Sequence, residues 1–179
     1  MLEDGAEMVK KYSKAGAAIV FLLLFDQYTK YLAVLHLKGQ AAIPLIKGIF
    51  ELRYLENPGA AFGSFQGKQV MLLTITFIAM LAMMYVYGKI PDGKRFLPLK
   101  ITDVLLLAGA AGNMIDRIRQ QYVVDFLYFK AIDFPIFNIA DCYVTIAAVL
   151  LIILVLFVYK DEELQFLSNE NKEYHETRN

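Results

Sequence analysis

The sequence predicts a membrane all-α protein with a small β element, built around four transmembrane helices. Apolar residues make up 58% of the 179 residues and the mean hydropathy is +0.45, whereas soluble domains are about 45–50% apolar. Four segments are long and apolar enough to cross a bilayer. Between the first two, one stretch alternates apolar and polar residues, as a half-buried strand does.

The four apolar segments cover residues 15–37, 69–88, 101–117 and 137–159. A helix needs about 20 mostly apolar residues to cross the hydrocarbon core. The second segment has no charged residue from 71 to 87, and the third is short and rich in small residues, which favours close helix–helix contact. A soluble bundle can also bury apolar helices, but the long uncharged run argues against that alternative.

Basic residues predict the orientation of the spans. An even number of spans places both termini and the second loop on one side. That loop, residues 89–100, holds four basic residues, and Lys10, Lys11 and Lys14 precede the first span. The positive-inside rule therefore predicts that the termini and this loop are cytoplasmic. The opposing loops carry basic residues of their own: Arg53, Arg117, Arg119 and Lys130.

The chain is expected to be a single integral membrane domain over residues 1–179. Residues 1–14 are mostly polar, and the apolar segment that follows is too long for the h-region of a signal peptide and lacks a convincing cleavage site. We expect this segment to remain as an anchor. The tail, residues 161–179, is polar with mixed charge, and we expect it to be a disordered cytoplasmic end.

Composition excludes several classes of function. Eighteen basic residues balance 18 acidic residues, so the net charge indicates neither a nucleic acid nor an acidic partner. The single cysteine, Cys142, cannot form an internal disulfide. No cluster has the spacing of metal ligands, and neither His36 nor His175 has a partner that suggests a catalytic triad.

The outer loop, residues 38–68, is longer than a simple turn. Its alternating stretch, residues 48–56, predicts a strand in a small sheet that lies on the outer membrane surface. An ordinary extended loop is the alternative.

Ionisable residues inside spans need a partner or a function, because burying a charge in lipid is costly. Asp26 and Lys30 are spaced i and i+4 in the first span, where they can pair on one face. Asn113, Asp116 and Arg117 share one face at the end of the third span. Structural ion pairs and a polar network that orders the outer loop are the alternatives to a catalytic role.

Two further aspartates are the strongest candidates for chemistry. Asp125 has hydrophobic neighbours at the membrane edge, and Asp141 lies about one turn inside the fourth span, on the same face as Asn138. The third loop is short, so we expect the two carboxyl groups to lie close together. Two neighbouring carboxyl groups in a low dielectric cannot both ionise easily, so the pair shares one proton. One can then activate water while its protonated partner polarises a carbonyl, as in aspartic proteases.

These residues fall in four blocks that together resemble the lipoprotein signal peptidases, also called signal peptidase II. The blocks are Asp26-Gln-Tyr-Thr-Lys30, Asn57-Pro-Gly-Ala-Ala-Phe-Gly63, Gly109-Ala-Ala-Gly-Asn-Met-Ile-Asp-Arg117 with Val123-Val-Asp-Phe126, and Phe137-Asn-Ile-Ala-Asp141. Each block alone is a weak signal, but four in the same order and with matching spacing are specific. The resemblance runs through the membrane part, from about residue 26 to 146.

The resemblance implies that Asp125 and Asp141 are the catalytic pair of an aspartic endopeptidase. It implies a four-helix membrane bundle with a small extracytoplasmic β-sheet cradle. Further residues are implied to bind substrate or support the site: Asn57, Gly59, Asn113, Arg117, Asn138, Asp116, Asp26 and Lys30. Asp26 and Asp116 are expected to be scaffold residues, in contrast to the reacting pair.

The implied substrate is a bacterial prolipoprotein, cut just before a cysteine that carries a diacylglyceryl group. No cofactor is expected, because water is the nucleophile. The expected partners are this substrate and membrane lipid, and the protein is expected to be a monomer. Its expected location is the bacterial cytoplasmic (inner) membrane, with the active site near the outer leaflet.

Two other functions remain open at this point. Intramembrane acids can relay protons in a transporter, although the sequence shows no inverted repeat and four spans are few for that class. The polar residues can also serve only to join helices in a structural subunit. Three positions depart from the usual pattern of the resembled family: Ala108 and Gln121, where glycine is common, and Val144 in place of isoleucine.

Overall fold

The computed structural model describes residues 2–59 and 68–167, with side chains from residue 8 onward. The helices and strands are α1 (Leu2–Leu37), β1 (Ile43–Ile46), β2 (Phe50–Asn57), α2 (Gln69–Lys89), α3 (Leu97–Gln120), β3 (Val123–Phe129), α4 (Ile139–Ile153) and α5 (Asp161–Leu164). A π-helical turn, Leu154–Val158, extends α4.

Within the described residues, four helices are long and apolar enough to cross a membrane. Long apolar side chains point outward from them, and Val70 of α2 and Phe157 beyond α4 are each 79% exposed. Such surfaces suit a hydrocarbon solvent, since lipid tails accept apolar side chains at no cost. The predicted fold class, four transmembrane helices with a small sheet, is confirmed.

The outer loop forms the predicted strand within a three-stranded antiparallel sheet of order β1-β2-β3. Leu55 of β2 pairs with Asp125 of β3, and Asn57 pairs with Val123. The sheet therefore joins the α1–α2 connection to the α3–α4 connection at one end of the bundle. It brings Asn57 and Asp125, which are distant in sequence, to neighbouring strands.

Strand β3 sits on the end of α1 through a small apolar core. Val124 and Phe126 on one face of β3 pack with Ala33 and Leu37, and all four side chains are buried. Because side chains alternate across a strand, Asp125 points to the opposite face from these two neighbours. This packing fixes the direction in which the Asp125 carboxyl group projects.

The opposite end of the bundle holds the α2–α3 connection and the beginning of α1. Here Arg95 donates hydrogen bonds to Glu163 at 2.8 and 3.0 Å and to the carbonyl of Val158 at 2.6 Å. Within the tail that is predicted to be disordered, residues 161–167 are helical, and these contacts hold α5 against the bundle. Residues 168–179 lie outside the described residues.

Gln121 ends α3 with a left-handed backbone, φ +66° and ψ +9°. This conformation costs most L-residues about 1–2 kcal/mol and costs glycine little. We expect Gln121→Gly to raise the free energy of unfolding by about 0.5–1 kcal/mol, since added freedom in the unfolded chain offsets part of the gain. Equilibrium unfolding in detergent measures this. Unchanged or lower stability would contradict the strain argument.

Candidate active site

Asp125 is 1% exposed and accepts two side-chain hydrogen bonds. Asn57 Nδ2 donates to one carboxyl oxygen at 2.8 Å, and Asn138 Nδ2 donates to the other at 2.6 Å. The two amides come from β2 and from the residue before α4. Their separate origins hold Asp125 in place from two sides.

Asp141 belongs to the first turn of α4 and forms a capping box with Asn138. The Asn138 side chain accepts the backbone N–H of Asp141 at 3.1 Å, and Asp141 Oδ2 accepts the backbone N–H of Asn138 at 3.1 Å. Asn113 Nδ2 on α3 donates to the other Asp141 oxygen at 2.8 Å. Both aspartates therefore lie in one hydrogen-bonded cluster through Asn138.

Strand β3 brings Asn138 to this position. Leu127 and Phe137 form an isolated β-bridge, with N···O distances of 2.8 and 3.0 Å in the two directions. The bridge places residue 138 beside β3 immediately before α4 begins. The bridge thus turns the connection between β3 and α4 back onto β3, and this places Asp125 and Asp141 in one cluster.

Three asparagines share one arrangement at the site. In each, the amide oxygen accepts from a group that can only donate: the N–H of Gly59 for Asn57, the N–H of Asp141 for Asn138, and the Lys30 ammonium for Asn113. The amide nitrogen must then turn the other way, because an amide presents one acceptor and one donor end. All three nitrogens face a carboxylate.

Lys30 belongs to a buried ionic network that reaches Asp141 through Asn113. Its ammonium is 2.9 Å from Asp26, 3.1 Å from Asp116 and 2.9 Å from Asn113 Oδ1. Lys30, Asp26 and Asp116 are all nearly inaccessible, with side chains 5% exposed or less. The predicted pairing of Asp26 with Lys30 is present, and Asp116 is the second carboxylate that the lysine charge offsets.

Asp26 and Asp116 also accept hydrogen bonds from the backbone. Asp26 Oδ1 accepts the N–H of Ala140 in the first turn of α4 at 2.9 Å, and Asp116 Oδ2 accepts the N–H of Val124 in β3 at 3.2 Å. Each contact ties a helix to the element that carries one of the candidate catalytic aspartates. Asp26 positions the residue next to Asp141, and Asp116 the residue next to Asp125.

Two members of the network were not predicted from the sequence. Gln27 Nε2 contacts Asp26 at 3.2 Å and Asp116 at 3.0 Å, and so joins the two carboxylates. Gly112 allows α3 to approach α1, because a Cβ there would lie 2.5 Å from Asp26 Oδ2. The sequence does contain a signal that Gln27 has a polar partner, because an amide inside an apolar span needs one.

Arg117 connects α3 to the loop that follows β2. Its guanidinium donates to the carbonyl of Gly59 at 3.0 Å and to that of Asn113 at 3.3 Å. Gly59 and Asn57 are therefore held between Arg117 and Asp125. The rest of the predicted loop motif, residues 60–63, lies outside the described residues.

Burial raises the pKa of Asp125 to about 7, and the negative charge of Asp141 adds to the rise. The amides of Asn57 and Asn138 oppose it, because they stabilise the carboxylate. A carboxyl group with this pKa can carry a proton at neutral pH. Beside it, the first turn of α4 offers a favourable place for a negative charge at Asp141. The pair suits general acid–base catalysis of hydrolysis.

Comparison with known proteins shows the family of the chain. The model of the family described as signal peptidase (SPase) II matches residues 18–157. The chain is 44% identical to the lipoprotein signal peptidase of Clostridium tetani, covering 80% of this chain and 91% of the relative. It is 40% identical to the lipoprotein signal peptidase of Caldanaerobacter subterraneus subsp. tengcongensis, covering 78% and 93%.

Two solved structures, both described as bacterial membrane enzymes, have the same fold. One has a TM-score of 0.72 and 34% identity, and the superposition covers 90% of this chain and 93% of the other. The second has a TM-score of 0.71 and 36% identity, with 82% and 95% covered. The membrane architecture is thus that of known relatives. The chain belongs to the signal peptidase II family, and it is a membrane aspartic peptidase that removes signal peptides from prolipoproteins.

Proposed function

We propose that Asp125 and Asp141 are the catalytic pair, with the shared proton on Asp125 and the negative charge on Asp141. The observation that carries this assignment is the cluster in which Asn138 contacts both aspartates. Asp125 is the more deeply buried of the two residues. Asp141 has two N–H donors and the positive end of a helix to stabilise its charge.

The proposed reaction begins with a water molecule between the two carboxyl groups. Asp141 removes a proton from this water, and the Asp125 hydroxyl donates a hydrogen bond to the scissile carbonyl oxygen as the water oxygen attacks the carbonyl carbon. Asp125 then transfers its proton to the developing oxyanion. When the C–N bond breaks, Asp141 passes its proton to the leaving amine and Asp125 recovers a proton from the collapsing diol. Each carboxyl group ends in its starting state.

The remaining site residues have positioning roles in this proposal. Asn57 and Asn138 hold Asp125, and Asn113 holds Asp141. Arg117 and Gly59 fix the loop beside the reacting pair. Asp26, Lys30 and Asp116 form the scaffold that sets the orientation of Asn113 and the approach of α4 to α1.

The finer substrate assignment is a prolipoprotein whose cysteine carries a diacylglyceryl group, with cleavage just before that cysteine. A site at the end of a membrane bundle can receive a helical signal peptide while the acyl chains stay in the bilayer. The sheet supports this placement, because Ile43, Leu45 and Ile46 of β1 present exposed apolar side chains and large exposed apolar patches suit a membrane surface.

We propose that the protein acts as a monomer in the bacterial cytoplasmic (inner) membrane, with both termini cytoplasmic. Lysines concentrate at the end of the bundle that carries the N-terminus and the α2–α3 connection, and the positive-inside rule assigns that end to the cytoplasm. The aspartate pair lies at the other end, near the outer leaflet.

Cleavage of two matched precursors by the purified protein tests the substrate assignment. One prolipoprotein carries the diacylglyceryl group on its cysteine, and the other has the same sequence without the lipid. We expect cleavage of the lipidated precursor just before the cysteine, identified by mass spectrometry of the products. Equal cleavage of both precursors would contradict the lipid requirement. A transporter or a structural subunit would leave both intact.

The pH dependence of kcat/KM tests the proton assignment. We expect activity to fall as the pH rises through about 7, since Asp125 then loses the proton that the reaction needs. Asn57→Ala removes a hydrogen bond that stabilises the carboxylate. The pKa of Asp125 should rise, so the descending limb should move to higher pH.

Gln69→Ala is the matched control for this shift. Gln69 Nε2 holds the same loop through the carbonyl of Pro58 at 2.7 Å and does not contact Asp125. Its loss loosens the loop but leaves the Asp125 hydrogen bonds in place, so the limb should keep its position. A limb that moves equally in both variants would assign the shift to loop disorder.

A further inference from the structure

We propose that the end of the bundle opposite the aspartate pair contains a binding site for an anionic phospholipid. The site is a groove of about 680 Å³ between α1 and α3. Its rim carries Lys10, Lys11 and Lys14 from α1 and Lys100 from α3. We call it the basic groove. Its volume falls within the range of about 300–1,000 Å³ that is common for ligand sites.

The rim carries a net positive charge, and only some of its lysines have a partner among the described residues. Asp92 is the acidic residue of the groove lining and contacts both Lys11, at 3.5 Å, and Lys100. Lys11 also donates to the carbonyl of Ile90 at 2.9 Å. Lys10 and Lys14, one helical turn apart, have no hydrogen bond or ion pair with any residue that the structure describes. As far as the described part of the chain is concerned, their ammonium groups are available to an external anion.

The floor of the groove is apolar. Ala18 and Leu22 follow Lys14 on α1, while Ile101 and Leu105 follow Lys100 on α3. From Lys14 to Leu22 the rise is about 12 Å at 1.5 Å per residue, and one leaflet of hydrocarbon is about 15 Å deep. The lysines therefore lie where headgroups lie, and the apolar floor extends to the depth of an acyl chain.

This combination identifies the occupant. Both walls belong to helices that can span the membrane, so the groove faces lipid, and a soluble anion would leave its apolar floor unfilled. A phospholipid with a negative headgroup matches both parts, with its phosphate beside Lys10 and Lys14 and a chain along Ala18. Basic pockets between membrane helices are known to bind such headgroups.

Native mass spectrometry of the full-length protein in detergent tests the proposal. The probes are phosphatidylglycerol and phosphatidylcholine with identical palmitoyl and oleoyl chains. We expect phosphatidylglycerol to bind at least about tenfold more tightly than phosphatidylcholine. The double variant Lys10→Gln with Lys14→Gln should lower the affinity for phosphatidylglycerol by about fivefold per lysine. Lys94→Gln with Lys160→Gln is the matched control, because it removes the same charge from the same end, outside the groove lining.

Each outcome decides for or against the basic groove. An equal loss in the two double variants would reduce the effect to general surface charge and overturn the site. Equal binding of the two lipids would also overturn it. Ala18→Phe places a ring in the apolar floor and should weaken phosphatidylglycerol binding without changing the charge. Unchanged binding in this variant would show that the lipid does not bind in the groove. A variant that ends at Leu167 should bind phosphatidylglycerol with the same affinity as the full chain. A large gain in affinity would show that residues 168–179 compete for the groove, which would overturn the lipid as its occupant.

Discussion

Prolipoprotein cleavage is expected to fall by about 10³-fold or more when either Asp125 or Asp141 is replaced by asparagine. An amide can neither accept the proton of the attacking water nor donate an acidic proton to the carbonyl, and one general acid–base group contributes about 10²–10⁴-fold. Single-turnover cleavage in detergent measures the loss. Since the pair acts as a unit, the double variant should be little worse than either single one.

Asp133→Asn is the control for these two variants. Asp133 lies between β3 and α4, is exposed, and has a left-handed backbone with φ +49° that asparagine tolerates well. The same chemical change there should leave cleavage unchanged. Retained cleavage in Asp125→Asn or Asp141→Asn would refute the assignment of the pair, provided that binding of the uncleaved precursor shows a folded protein.

The largest loss of stability is expected for Lys30→Met. This change removes the ammonium from between Asp26 and Asp116. Two buried carboxylates then lack their counter-charge, and leaving one buried ion-pair partner uncompensated costs about 3–5 kcal/mol. Asn113 also loses the shorter of the two hydrogen bonds to its amide oxygen, which come from Lys30 at 2.9 Å and Asn138 at 3.2 Å. Its amide is then held less firmly toward Asp141, so cleavage should fall as well. Equilibrium unfolding in detergent measures the first effect.

Lys38→Met supplies the comparison, at the residue that directly follows the same helix. Lys38 pairs with Glu56 at 2.7 Å, but the two side chains are 53% and 39% exposed. Solvent screens such a pair, and exposed pairs contribute little to stability. We expect little or no change in unfolding for Lys38→Met. Similar losses in the two variants would show that burial does not set the strength of the Lys30 network.

The architecture was predictable because lipid imposes a severe constraint. Long uncharged runs such as residues 71–87 have few stable alternatives to a spanning helix. Polar residues within those spans were conspicuous for the same reason, so Asp26, Asn113 and Asp141 could be identified as members of a site. Period-two alternation similarly indicated the strand that became β2.

The partners of those residues were less predictable, because spacing shows which face a side chain shares and not what lies opposite. Nothing in the sequence indicated that Gln27 joins two carboxylates or that Asp26 caps the backbone of α4 at Ala140. The contact between Arg95 and Glu163, 68 positions apart, was not predictable either, because a polar tail gives no indication of which residue it meets.

Asn138 limits how the chain can change. Its oxygen caps α4, a role that serine, threonine or aspartate could also perform. Its nitrogen, however, must simultaneously supply an N–H to Asp125. Serine or threonine would have to accept and donate through one hydroxyl oxygen, and an ionised aspartate has no donor, so asparagine alone offers a donor atom separate from the capping oxygen. A substitution at Asn138, which is fully buried, would therefore sacrifice either the initiation of α4 or the alignment of the acid pair, and we expect the position to tolerate few replacements.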